Sequence, residues 1–491
     1  MNKYLRAVSA NYAFFFINTI FFLVITPVAI RVMGEELYGL WAILNAILLF
    51  SGVGILSMGT IVNKFASEDD SKAPPINGII SSGIIILLPM AMLIMFVIFL
   101  TRGWISKQFG VNNEQQFQIE LALVFTAISV MPQFLGRIPH GYLLSQLKNN
   151  LARSVESGAN IATWLGAVII AFFFQNLLWM ALWGLLIQIL SMLVLFALVL
   201  PKINFCWQYD PRTLQRMLNF SGFTFLESLA VALFQNFDRL IVGALLGPIA
   251  AGVYSVATSA GLRLTIVVGQ IAEVLIPYVS KKNSTKEHKS LYKTFRQVSQ
   301  ISNLMLGIFS SMMILWMDVI LNLWISIEYS HKYTSIFRII VIAYVFLSAS
   351  RIGHQTLIGL GQVKKTAIIY TLTSFFLIAS VFIFSLNFSL LGAAYANLLM
   401  IILLSFNVII YLYFSKQSPI KELFIDSWIA LALPFFAYGV TSFNEFKNHS
   451  LVNQILLSLA LILITTISIK SNKTLALLQT SLLKNLTSSR K

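Results

Sequence analysis

The sequence predicts an all-α polytopic membrane protein of about fourteen transmembrane helices. Two six-helix lobes, related by a parallel repeat, are followed by two C-terminal helices. Three observations carry this. The 491 residues are 58% hydrophobic and only 11% charged, whereas a soluble domain carries about 25% charged residues; lipid must therefore solvate most of the chain. The apolar runs reach the roughly 20 residues that a spanning helix needs and lack the two-residue alternation of barrel strands. Backbone polar groups cannot stay unpaired in hydrocarbon, so such runs must be helical. Finally, the stretch after the first run recurs 213 residues later.

Taken in order, spans are expected at 9–30, 38–62, 78–101, 117–144, 151–174, 177–200, 221–246, 250–279, 298–324, 336–359, 366–386, 389–414, 424–443 and 451–469. The first follows Lys3 and Arg6 and is too long for a cleaved leader, with no small-residue cleavage site after it. Residues 157–201 hold no charge and divide at the hairpin Phe174-Gln175-Asn176; residues 366–415 are likewise uncharged and divide at 385–389. With the N-terminus in the cytoplasm, 23 of the 34 Lys and Arg fall in cytoplasmic segments and five outside, as the positive-inside rule requires. Both termini are then cytoplasmic. The net charge of +16 is thereby a matter of topology and of attraction to anionic lipid, and calls for no nucleic acid. The single Cys206 excludes an internal disulfide and argues against a thiolate metal centre. The expected organisation is an N-terminal lobe over 1–200 and a cytoplasmic linker over 201–220 of interfacial amphipathic character. A C-terminal lobe over 221–414 follows, then two further helices and a tail over 415–491.

The repeat is visible in detail. Gly34 and Gly39 in "MGEELYGLWAIL" match Gly247 and Gly252 in "LGPIAAGVYSVA". The first glycine of each pair relieves a tight outward turn; the second lets the following helix pack closely. A second echo closes the fourth span of each half: Arg137, Ile138 and His140 match Arg351, Ile352 and His354, and Leu144, Gln146 and Lys148 match Leu360, Gln362 and Lys364. Offsets of 213–216 residues hold at both places. Two halves of like orientation are the mark of transporters with a substrate site between them.

These features resemble the multidrug/oligosaccharidyl-lipid/polysaccharide exporter superfamily. "YGLWAIL", "NFDRLIVGALLGPIAAGVYSVA" (236–257) and "VLIPYVSK" (274–281) are similar to its polysaccharide branch, the Wzx-type O-antigen flippases. The likeness covers most of the chain and is weakest over the last two spans. It implies a bacterial inner-membrane protein that moves undecaprenyl-pyrophosphate-linked oligosaccharide from the cytoplasmic to the outer leaflet by alternating access. The product would be O-antigen or another surface polysaccharide, with a polysaccharide polymerase as a candidate partner.

Ionisable residues inside a membrane are costly and point to function. Arg263 lies near the middle of span eight with no acid at i±3 or i±4 and is the first candidate for a cavity-facing site that takes substrate pyrophosphate; Arg239 is the second. Asp238, Glu227 and Glu273 are candidates for ion coupling or for helix–helix ion pairs. Arg137 and Arg351, at matching places, are candidate cytoplasmic gate contacts. Arg153 and Glu156 at i,i+3 read as a local ion pair, Arg338 as a side chain snorkelling to the surface, and His140 and His354 as ordinary hydrogen-bonded histidines. Trp41, Trp164, Trp183 and Tyr254 read as packing residues that could also stack on sugar.

No P-loop, HExxH or metal-ligand spacing is present, so neither catalytic nor metal residues are assigned and no cofactor is expected. An H+ or Na+ gradient, the membrane potential or the substrate gradient is left as the energy source. A cation-coupled multidrug antiporter of the same superfamily is the alternative, but such proteins favour acidic cavities, whereas the first candidate here for a cavity-facing charge is the basic Arg263. A membrane glycan polymerase or ligase needs larger outer loops than the 10–16 residues available here.

Overall fold

A computed structural model describes residues 2–51, 53–67, 74–108, 113–146, 148–273, 275–284, 287–414, 418–442 and 458. The described residues form fifteen α-helices and no strand: α1 Asn2–Ser51, α2 Val53–Ala66, α3 Ile76–Lys107, α4 Asn113–Ser145, α5 Asn149–Phe174, α6 Leu177–Ile203, α7 Pro211–Ala232, α8 Asp238–Glu273, α9 Leu275–Ser284, α10 His288–Leu315, α11 Met317–Trp324, α12 Ile327–Gly359, α13 Val363–Ala396, α14 Ser405–Phe414 and α15 Pro419–Ser442. Among the described residues, nine stretches are long and apolar enough to cross a membrane, or ten if α15, bent by 56° near residue 429, counts as one span. Pro434 in α15 removes a backbone donor and crowds the carbonyl four residues earlier, which accounts for the bend. The final expected span, 451–469, lies outside the described residues apart from Ser458. The chain divides into two compact units, 1–255 and 256–491.

Three of the long stretches double back. Gly34 has φ 74° and ψ 166°, Gly247 has φ 85° and ψ 176°, and Ser389 has φ 53° and ψ −141°. Asn18 bonds to Ser157 and Asn160, while Tyr38 and Trp41 meet Trp164. Those contacts lie within two turns of α5, yet a continuous α1 would separate them by about 30 Å. Around Gly247, the Tyr254 hydroxyl donates to Asp238 Oδ2 at 2.8 Å, although sixteen residues of unbroken helix would span about 24 Å. Only glycine adopts the Gly34 and Gly247 conformations without strain.

The second glycines act as the sequence leads one to expect. A methyl group on Gly39 would stand 1.9 Å from the Pro248 carbonyl oxygen, and one on Gly252 would stand 3.0 Å from Gly39 Cα. The two hairpins of the first unit therefore touch backbone to backbone. In the helix following the Gly247 turn, residues 250–258 are all buried.

Between α6 and α7 the chain is irregular only over 205–210, inside the expected linker 201–220; α6 persists past Pro201 and α7 begins at Pro211. Asp210 caps α7, accepting from the Arg212 N–H and the Thr213 hydroxyl. The Thr213 hydrogen bond, opposed only by slight desolvation, holds its carboxyl below the usual carboxylate range. In the second unit, residues 336–350 of α12 are all buried.

Candidate functional site

In the first unit, α4 and α5 build a charged cluster. Glu156 receives Arg137 Nη1 at 3.2 Å and Arg153 Nη1 at 2.8 Å, with His140 Nε2 at 3.6 Å. The local Arg153–Glu156 pair is therefore present. Arg137, the gate candidate, is joined to the same carboxylate. Asp238 is buried, and its two oxygens accept from the Arg239 N–H and the Tyr254 hydroxyl. It sits one residue after a π-helical turn over Leu233–Phe237, a distortion frequent at functional positions. Arg239 is half-buried beside it.

The aromatics sit in packed positions. Trp41 and Tyr254 are buried, Trp41 meets Trp164 edge-on at 6.3 Å, and the Trp183 ring N–H donates to the Ala162 carbonyl.

In the second unit, Arg263 is half-buried on α8 and donates to the Ser259 carbonyl. Thr265 lies 3.1 Å from Ser348, and the Gly261 position abuts the Tyr344 ring, so this part of α8 runs alongside α12 in the same direction. Arg351 is partly exposed on α12; His354 is buried against Tyr370 and Phe406. The side chains of Glu227 and Glu273 lie outside those described.

One expectation fails. Arg338 does not snorkel: it is 8% exposed, donates from Nε to the Ile314 carbonyl at 3.0 Å, and lies 3.7 Å from Asp318. The end of α10 and the start of α11 offer it acceptors within the fold.

One cluster went unread in the sequence. Arg296 Nε and Nη2 form a forked pair with Asp426 at 2.9 and 3.1 Å, and Nη2 also reaches Glu422 at 3.2 Å. Gln300 donates to Asp426 at 2.6 Å and Tyr411 donates at 3.0 Å; Asn303 bonds to the Asp426 carbonyl and to Ser427. The network fastens α15 to α10. Its signal was legible: Arg296, Gln300 and Asn303 repeat at i, i+4, i+7, and Glu422 and Asp426 at i, i+4, but Arg296 reads as a loop charge when taken alone.

No group of three or more potential metal ligands occurs among the described residues. Long apolar helices that carry half-buried cations are those of a multi-pass membrane protein. The chain belongs to the polysaccharide biosynthesis protein family, whose sequence profile matches residues 28–338. A Shigella flexneri protein named "Putative O-antigen transporter" is 23% identical over 376 residues, covering 74% of this chain and 87% of that one. Among solved structures, the lipid II flippase MurJ in an inward closed conformation aligns with TM-score 0.68 and 18% identity over 92% of this chain and 97% of that chain. An inward-facing multidrug resistance MATE transporter of the MOP superfamily aligns with TM-score 0.60 and 11% identity over 86% and 96%. The fold is thus the MOP fold, and the protein is a membrane transporter of polysaccharide biosynthesis distantly related to an O-antigen transporter.

Proposed function

We propose that this protein translocates polyprenyl-pyrophosphate-linked oligosaccharide from the cytoplasmic to the outer leaflet by alternating access, supplying O-antigen or another surface polysaccharide. The observation that carries the reading is Arg263, a half-buried guanidinium on a helix of a polysaccharide-family transporter. A pyrophosphate cannot cross hydrocarbon bare, and a guanidinium presents paired donors that match phosphate oxygens. Arg239 contributes a second positive charge, with Asp238, Glu227 and Glu273 as the acids available for ion coupling. The polyprenyl tail stays in lipid.

The accompanying topology has fourteen spans in two six-helix lobes, two further helices, and both termini in the cytoplasm. The reversals at Gly34, Gly247 and Ser389 support it: each divides one long stretch, which brings nine candidates to twelve. The bent α15 and the segment 451–469 supply the last two.

Surface glycan display tests the function in a strain lacking this protein, complemented at matched membrane levels. Wild type restores display, Arg263→Lys restores it weakly, and Arg263→Ala does not; Arg239→Ala shows a milder loss. Full display with Arg263→Ala would move the anion site elsewhere. Normal display in the deletion strain would sink the flippase reading.

A further inference from the structure

The two copies of the Arg-Ile-x-His motif are chemically unequal. In α4, Arg137 has Glu156 as its counter-charge. His140 of the first copy lies beside Glu156 on the following helix, whereas its match His354 lies beside Tyr370 on the helix that follows it. Tyr370 brings no charge; its ring packs against His354 with centroids 5.1 Å apart. Among the described residues, no acidic side chain pairs with Arg351.

The surroundings of Arg351 open in one direction only. After the enclosed run 336–350, residues 352–354 and 356–357 remain buried, whereas Arg351, Gln355 and Ile358 are partly exposed. Their i, i+4, i+7 spacing places them on a single stripe. Arg351 Nε and Gln355 Oε1 are both buried and have no hydrogen-bond partner. A cation in apolar surroundings needs a counter-ion. Where the fold supplies none, one arriving from outside completes the site.

We propose that Arg351 and Gln355 form a phosphate-binding step that takes the diphosphate of the lipid-linked substrate on the cytoplasmic side of Arg263. The proposal rests on the reading of Arg263 as the anion site. Register supports the order: Thr265 pairs with Ser348, so Arg351 lies five residues beyond the level of Arg263, about 7.5 Å at 1.5 Å per residue. Two guanidiniums thus succeed one another along neighbouring helices, and the Gln355 amide adds a neutral donor beside the second. Arg351 is then a substrate-binding residue, and its twin Arg137 is a structural one.

The test uses full-length protein in phosphatidylcholine nanodiscs titrated with inorganic pyrophosphate, read as the rise in thermal midpoint that a bound ligand produces. Wild type should respond saturably. Arg351→Gln should bind at least about tenfold more weakly, as expected for loss of a charge-assisted forked contact; Arg351→Lys should fall between, and Arg137→Gln should match wild type. The midpoint without ligand reports whether each variant is folded. Wild-type affinity in both Arg351→Gln and Arg351→Lys, or no saturable response in wild type, would overturn the site. If Arg263→Gln alone loses binding, the Arg263 reading stands and this one falls; loss in Arg351→Gln alone keeps this site and removes Arg263. A parallel titration in nanodiscs containing phosphatidylglycerol separates the two sources of phosphate. Suppression of the pyrophosphate response there, dependent on Arg351, would identify a lipid headgroup as the occupant and overturn the substrate assignment.

Discussion

The fourth span of the first half and its counterpart in the second carry the same short motif, yet they handle its charge in opposite ways. In α4, Arg137 and His140 converge on Glu156 from the next helix, and Arg153 joins them. In α12, the same arginine pairs with no acid among the described residues, and the histidine is packed between two rings. The following helix presents an acid, Glu156, to the first histidine and an aromatic ring, Tyr370, to the second. A repeat therefore transmits backbone geometry more faithfully than it transmits electrostatics. In one half the motif has become an internal tie; in the other its charge is left available. The second unit does bury ion pairs, but it places them elsewhere, between α10 and α15.

That placement gives the largest expected effect. Asp426 is fully enclosed and receives four donor groups, so Asp426→Asn should cost about 3 kcal/mol by removing the charge those donors share, with Glu422 left as the counter-ion of Arg296. Replacing Arg296 and Asp426 together by leucine should recover most of the loss in thermal or denaturant unfolding. If the single variant is as stable as wild type, the network contributes nothing and the contrast between the units loses its second half.

The hairpins give the next effect. Gly39→Ala drives a methyl group into the Pro248 carbonyl and should destabilise by about 1–3 kcal/mol. Gly34→Ala and Gly247→Ala meet nothing within 4 Å and should cost about 1–2 kcal/mol each through backbone strain alone. Equal losses at Gly34 and Gly247 would sharpen the equivalence of the two turns; a tolerated Gly39→Ala would break the close approach.

The smallest change in stability carries the most direct test of the motif comparison. Glu156 is more than a third exposed, so its pairs are screened, and Glu156→Gln should cost only about 1 kcal/mol. It should also free Arg137 and give the first half a pyrophosphate response of its own, measured in the Arg351→Gln background. Arg351→Gln should leave unfolding within about 0.5 kcal/mol of wild type, because it breaks no internal pair. A large loss of stability in Arg351→Gln would show the two arginines to be equivalent after all.

The sequence by itself determined the solvent, the helical class, the internal repeat, the glycine turns at 34 and 247 and the local Arg153–Glu156 pair. Each of these is set by composition or by residues close in the chain: apolar length fixes the choice of lipid, and positive φ demands glycine. Even the reversal at Ser389 was expected from the polar residues 385–389. Tertiary structure alone decided which charges meet. Arg137 found Glu156 nineteen residues away, Arg296 found Asp426 across 130, Asp238 bonded to Tyr254 over a turn, and Arg338 stayed inside. The physical reason is that hydrophobic burial has no direction and is written in each helix separately, whereas an ion pair acts over a few ångströms and exists only where two helices bring their side chains together.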